Sequence, residues 1–519
     1  MLFRHSFMTL LLLAAVLPLA GCGNPDPSWD SAPKLHGPYE VDGAVAWYDE
    51  LRGALLVVRS TEKGVVHERI ALTLTPHAPG QVTADGQRLV LLDLKHRGLW
   101  VVTPKQKTAI RHQLPSQFSG ITLAADGKAA VAFHAGGGAA ATSLVDVAEV
   151  ALIDLTAAQS SVRSVSIDGL SRAPLAVRIA PEVTAGGGTH RVVWIEAVSL
   201  LGIADFGPPK PDGTVTPART TVVPLVADPK VFLTPRKTVT RTDGGSLHLY
   251  LIAHNSDDVV HVALDLVPTA ISATLDQIAS GKNPTDLALI QAKDGLRILT
   301  AHSGTLSLGL LDPTNGSALH IGLEGLATAI VPYIVPYADA TDRPMALLWH
   351  PFSPNLFLVD IDGLPKKKGK AVQRVVSDQA ISGLAQQGTR FLLHHPNSNA
   401  GLSAFDAASV KLTAPQTGTG KVQAARTVGD DVFALGEIDG GLALVKVSMT
   451  GPARASIRLN QQATQLVRIG DKGVALVGQG LGGPWLATFH KGLLTWAEVR
   501  WVEGFALTGT LTGTLEEAP

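Results

Sequence analysis

Apolar residues along this chain come in short runs, broken at close intervals by Gly, Asp, Asn and Pro. Short apolar or alternating runs bounded by turn formers predict β-strands rather than helices. A turn pair or a lone Gly precedes one run after another: Asp42-Gly43, Asp85-Gly86, Asp126-Gly127, Gly187-Gly188, Gly244-Gly245, Asp294-Gly295, Thr341-Asp342, Gly388, Gly429-Asp430 and Asp471-Lys472. Strands are expected directly after them, for example over 88–92, 129–133, 247–251 and 391–393. After a short loop a second run comes, often ending in aspartate: Asp154, Asp205, Asp265, Asp312, Asp360 and Asp406. These six lie 51, 60, 47, 48 and 46 residues apart. Ten such hairpins can be counted. The clearest helical spacing, around Leu275 to Ile278, is very short.

A period of about 40 to 50 residues built from four short strands is the pattern of β-propeller blades. One unit reads cleanly: Ile121 to Ala124, Ala129 to Phe133, Glu149 to Leu155, then Val162 to Ile167. The turn joining the first two strands needs positive φ, which Gly and Asp supply. A lone four-stranded sheet cannot bury both faces, so the units must stack. The expectation is an all-β propeller of seven to ten blades, as one large ring or as two propellers. Two stretches read as insertions: the Gly/Ala-rich 135–146 and the Pro-rich 206–237, the latter an irregular excursion or a linker.

The segments Ala124 to Ala132 and Leu251 to Asp265 resemble YVTN-type propeller repeats. In that family a unit runs strand, Asp-Gly turn, strand, short polar loop, then a strand ending in Asp. The resemblance covers most of the chain after its leader, and each copy departs from the pattern. It implies the propeller fold and only loosely a function. Propellers similar to this one include lactonases and quinone-linked dehydrogenases, with sites at the central channel.

Composition narrows the setting. Formal net charge is −1, which gives no electrostatic reason to expect a nucleic-acid partner. The one dense basic cluster, Lys366 to Lys370, falls in a Gly/Pro-flanked loop and reads as solvated. Cys22 is the only cysteine in 519 residues, so no intrachain disulfide can form. It closes Leu19-Ala20-Gly21-Cys22, after an apolar run from Phe7 to Pro18 and a basic start at Arg4. That is a secretory leader, too short to span a bilayer comfortably.

The Leu-Ala-Gly-Cys ending resembles the lipobox of bacterial lipoproteins. The resemblance implies lipidation of Cys22, cleavage before it and anchoring of the new N-terminus by acyl chains. Several chains hold far more firmly than one. Residue 23 is Gly rather than Asp, which leans towards the outer membrane of the cell envelope. The expected organisation is a signal peptide over 1–21, a Pro/Gly-rich tether over 22–38 and propeller repeats over 39–519. The membrane, through the lipid, is the one partner this implies.

Histidine recurs at one place in the repeat, the end of the strand after the turn: His134, His254, His302, His350 and the pair His394-His395. Glu196 and Glu437 occupy the same place in other units. Seventeen His in 519 residues would place about 0.3 at ten positions by chance, so five is an excess. Equivalent blade positions form a ring on the face of the loops joining second and third strands. Two readings stay open: a ligand-binding rim, or a hydrogen-bonding role at the strand end inherited by duplication. Metal ligands must converge to about 2.0 Å from the ion. Residues on second strands of separate blades stand too far apart for that, so no metal is expected. The glycine pattern over 478–483 continues into another strand at Pro484 to Leu486, without the helix N-terminus that holds a phosphate. Trp47, Trp100, Trp194, Trp349 and Trp485 read as blade packing. With no nucleophile motif and no cofactor signature, the leading expectation is an envelope binding or scaffold module. The alternative is a channel-sited propeller enzyme of lactonase or quinone-dehydrogenase type.

Overall fold

A computed structural model describes residues 35–497 and also 512–514 and 516–517. Within the first span it leaves out 51–52, 62–63, 73–79, 136–145, 158–160, 171, 209–215, 229, 268–269, 324–332, 340, 366–370, 396–400, 414–419, 449–453, 460–462, 470–472, 481–482 and 491–492. Cys22, the Lys366 to Lys370 cluster and nearly all of 135–146 therefore lie outside the described residues.

The regular elements are β-strands, apart from one turn of 3₁₀ helix at Pro104–Gln106. They make ten antiparallel sheets in chain order, at 35–71, 80–113, 120–166, 176–224, 234–279, 284–322, 333–381, 383–413, 420–458 and 463–497. Seven have four strands and three have five. Each is a meander in which successive strands pair, except that in the fourth both Ala176–Ile179 and the short Val183–Ala185 pair with Gly188–Ala197. The third sheet is the unit read from the sequence: Gly120–Leu123, Ala129–Phe133, Glu149–Asp154 and Val162–Ser166.

Strand alternation explains why the sheets stack. In Ser246–His254, Leu247, Leu249 and Leu251 pack towards the fourth sheet, and Tyr250 and Ile252 towards the sixth. A strand buried on both faces reads as a continuous apolar run, as in the wholly buried Leu89–Asp93. Apolar clusters fill all nine junctions between consecutive sheets. The tenth sheet then packs against the first: Ala463–Ile469 lies against Leu35–Val41 and Ala44–Asp49. The ten sheets thus close one propeller, with the first strands of the sheets around its axis. The strands Thr512–Thr514 and Glu516–Glu517 add to the outer edges of the tenth and ninth sheets.

The ring has two unlike ends. One, the hairpin face, carries the turns from first to second and from third to fourth strands. The other, the rim face, carries the turns from second to third strands and the crossings to the next sheet. On the hairpin face Asp42-Gly43 takes φ 51 and 68, the left-handed pair that a two-residue hairpin turn requires.

Two expectations need correction. Leu275 and Ile278 lie in a strand, Ala270–Ala279, paired along its length with Asp258–Val267. Leu275 packs towards the fourth sheet and Ile278 towards the sixth, so their spacing serves two faces and not one helical stripe. The segment 206–237 is not wholly irregular: it contains Arg219–Pro224, the outer strand of the fourth sheet. Its prolines fall mainly in the connection before that strand and in the crossing after it, which accounts for the 60-residue interval.

Candidate functional site

The recurrent strand-end residues lie at the rim-face ends of separate sheets, and most of them are committed within their own sheets. His134 is buried against the Phe118 ring at 4.8 Å, with Nε2 3.9 Å from Glu149. Burial lowers its pKa, and Glu149 and Asp146 pull the other way. Buried Glu196 accepts from Arg178 Nε at 2.7 Å and from Trp194 Nε1 at 3.2 Å. His302 is fully buried, with Nδ1 3.2 Å from Ser307 Oγ. His350 is buried, and its Nδ1 donates to Pro351 O at 3.1 Å. His395 donates from Nδ1 to Ala380 O at 2.9 Å and meets Ser403 Oγ at 2.8 Å through Nε2. His394 is half-buried, its pKa lowered by burial and by His395 and Arg426. Only His254 and Glu437 are exposed. Asp93, at the same place in the second sheet, accepts the backbone N–H of Lys95 and His96 and so caps the turn after it. Among the described residues no group of three or more His, Cys, Asp or Glu is placed to hold a metal ion.

The structure brings titratable groups together more tightly at the opposite end, on the fourth sheet, where the first cluster faces the fifth sheet. His190 is the third residue of Gly188–Ala197, and Asp205 is the next to last of Leu200–Phe206. The register pairs Asp205 with Val192 on one side and with Arg219 on the other. This diagonal places His190 Nδ1 3.0 Å from both carboxylate oxygens of Asp205. Asp205 is fully buried and also accepts from Arg219 Nε at 3.1 Å and from the same guanidinium's terminal nitrogen. A buried carboxylate on Nδ1 fixes the ring and its tautomer, leaving Nε2 as the free nitrogen. No described residue bonds that nitrogen.

Next to this cluster, on the other face of the fourth sheet, Arg191 bridges Asp126 and Glu182, each at 2.6 Å. Burial works against the Asp126 carboxylate, but hydrogen bonds from Arg191 and the Lys128 backbone hold it below the usual range. Arg163 lies 5.4 Å over the Phe206 ring and donates to Gly207 O at 2.7 Å. Burial lowers its pKa, opposed by Asp205 and Asp154. These groups border a cleft of about 380 Å³ on the hairpin face, lined among others by Lys128, Asp154, Arg163, Glu182, His190 and Phe206. That volume suits a small molecule. Cations and carboxylates of both walls, with His190 at the border, can bind a polar ligand.

Sequence reasoning did not single out His190. Asp205 was visible as a strand-ending repeat aspartate, and the residue two places beyond it carried a signal. Asp154 and Asp312 each have a Thr at that distance, which they bind in a tight turn, whereas Asp205 has Gly207 there. An aspartate without its turn partner is available for another role.

A second cluster lies between the fifth and sixth sheets. His248 Nδ1 and His261 Nε2 are 3.0 Å apart, and Tyr250 stacks on His261 at 4.6 Å. Burial lowers the pKa of both imidazoles. They form a hydrogen-bonded pair.

The sequence matches no family model and no curated protein. Among solved structures, the chain is similar to the WD40 domain of SCAP from fission yeast, at 8% identity and TM-score 0.41, over 89% of this chain and 98% of that one. It is similar to the dihydro-heme d1 dehydrogenase NirN at 12% identity and TM-score 0.39, over 85% and 77%. It is also similar to virginiamycin B lyase from Staphylococcus aureus at 12% identity and TM-score 0.28, over 63% and 93%.

Proposed function

We propose that this propeller is a lipid-anchored binding module of the bacterial envelope. In this reading its ligand is a small polar molecule held in the cleft between the third and fourth sheets. The observation that carries the reading is Asp205. Of the six repeat aspartates it alone is fully buried, and it spends its carboxylate on orienting His190 at the edge of a cleft lined with both signs of charge. Burying a carboxylate is costly unless it is paired, and Arg219 supplies the pairing. The lipobox supports the location, and the ring supports a rigid platform. What favours a binding module over a channel-sited enzyme is placement. His190, Asp205 and Arg219 occupy second, third and fourth strands, away from the first strands that surround the axis.

A thermal-shift screen tests this. Amino acids, organic acids, phosphate esters and amines would be offered to the wild type and to Arg163→Ala and His190→Ala. At least one compound class is expected to raise the wild-type midpoint, and the two variants are expected to abolish that rise. No stabilising compound, or an undiminished rise in both variants, would overturn the assignment of the cleft.

A further inference from the structure

The described chain starts on the rim face. Leu35 pairs with Asp49 beside the turn from second to third strand, and Val41 pairs with Ala44 at the hairpin face. The segment leading back to Cys22 therefore joins the ring from the rim side. Leu35 comes thirteen residues after Cys22, a reach of about 45 Å at full extension and about 20 Å as a coil. If the anchor of the proposed function holds, the rim face is the one drawn towards the bilayer.

That face also carries the largest exposed apolar side chains. Phe352 is 68% exposed, Phe232 57% and Leu175 50%, with Val231 next to Phe232. Single exposed apolar residues are ordinary, but the way these are held is not. Phe352 sits in the turn of the seventh sheet at φ 64, where a bulky side chain is strained. Val231 and Phe232 lie in the crossing from fourth to fifth sheet. Ser199 pins that crossing: its N–H donates to Leu233 O, its hydroxyl to Val231 O, and the Leu233 N–H donates back to its oxygen. The Arg172 guanidinium stacks 5.5 Å over the Phe232 ring and donates to Val198 O. An aromatic ring flanked by a cation, with Lys230 exposed beside it, matches the boundary between lipid headgroups and acyl chains. Of the other large exposed apolar residues, Val66 and Val267 lie towards the hairpin face, Val376 lies midway along the outer strand Val372–Ile381, and all three are smaller.

We propose that the rim face rests on the phospholipid surface, with Phe352, Phe232, Val231 and Leu175 entering the headgroup region. The acyl chains hold the ring to the membrane and these side chains orient it. The hairpin face and its His190 cleft then open to the aqueous side. This inference rests on the lipid-anchor reading, and one experiment separates the two.

In the lipidated protein the Cys22 thiol is acylated, so an introduced cysteine is a unique label. Phe232→Cys, Phe352→Cys and Val267→Cys, each carrying an environment-sensitive fluorophore, would be reconstituted into phosphatidylethanolamine–phosphatidylglycerol vesicles with nitroxide-bearing lipid. Co-flotation with vesicles, lost in a Cys22→Ser chain, reports the anchor. Quenching reports the orientation, and it is expected to be at least about threefold stronger at 232 and 352 than at 267. Flotation with equal quenching at all three positions, or with the strongest at 267, overturns the orientation and leaves the anchor standing. A wild-type chain that does not float, and whose Cys22 thiol takes the label, overturns the anchor itself.

Discussion

His302 is the most strongly perturbed of the recurrent histidines. It is fully buried, and its Nε2 has no hydrogen-bond partner among the described residues. Burial, and then the neighbouring His320 imidazole, push its pKa down to about 4. The ring is therefore neutral in the folded protein at pH values where the unfolded chain already binds a proton. Because the unfolded chain binds more protons between about 4 and 6.5, stability rises with pH across that window. The contribution is complete above about 6.5 and is lost as pH falls towards 4, to about 3 kcal/mol at most. Urea unfolding at pH 7.5, 5.5 and 4.5 should show wild-type stability falling with acid, and His302→Gln falling less over the same interval. Parallel curves would remove His302 from the cause. The excess of histidines at this place was legible because repetition exposes it. Their burial was not, since a strand-end His beside a rim reads the same whether solvent or a neighbouring loop covers it. The loop that closes over His302 is local to its junction: a Cβ at Gly281, in the crossing from the fifth sheet, would lie 2.9 Å from its ring.

Turns show where composition carries conformation and where it does not. Hairpin-face turns such as Asp42-Gly43 and Gly244-Gly245 hold positive φ at both residues, so Gly and Asp mark them in the sequence. The rim turns also need one left-handed residue, yet Arg97, Ser199, Asn255, Leu306, Phe352 and Asp439 all serve, with φ between 49 and 66. No residue type labels that position, so no residue pattern could locate it. Strands were legible because burial on both faces makes them apolar throughout. The outer strand Arg219–Pro224 was hidden because it is largely half-buried and comes after a proline-rich connection. Phe352 is the costliest occupant of the rim position, as Asn tolerates the left-handed region and a bulky side chain does not. Phe352→Asn should therefore raise the stability of the free protein by about 1 kcal/mol, read as a small increase in melting temperature. A loss of stability would mean that Phe352 makes packing contacts outweighing its backbone strain. The same substitution should weaken contact with lipid, so a stability gain obtained with reduced membrane contact would explain why the aromatic sits there.

Ten sheets around one axis leave about 36° for each, and the chain joins them in sequence so that nine junctions are covalently continuous. The tenth junction is different. All four strands of the first sheet come from the start of the described chain, and the four main strands of the tenth come from near its end. Among the described residues no strand is exchanged across the seam, which is held by packing of Ala463–Ile469 on Leu35–Val41 and by Glu40. The Glu40 carboxylate accepts the Arg468 N–H at 2.8 Å and lies 3.7 Å from Arg426 of the ninth sheet. An exposed ion pair of this kind adds little, about 0.2–1 kcal/mol. Separating the seam exposes one sheet-to-sheet interface, whereas releasing any other sheet exposes two and requires the chain on both sides to give way. The seam is therefore the opening of lowest free energy in the ring. Hydrogen exchange read out by mass spectrometry should find Ala44–Asp49 and Ala463–Ile469 exchanging together, and sooner than Ser246–His254 or Gly295–His302 in the fifth and sixth sheets. Uniform protection around all ten sheets would show that the closing interface is as strong as the continuous ones. In that case the apolar contacts across the seam, rather than chain connectivity, would set the stability of the ring.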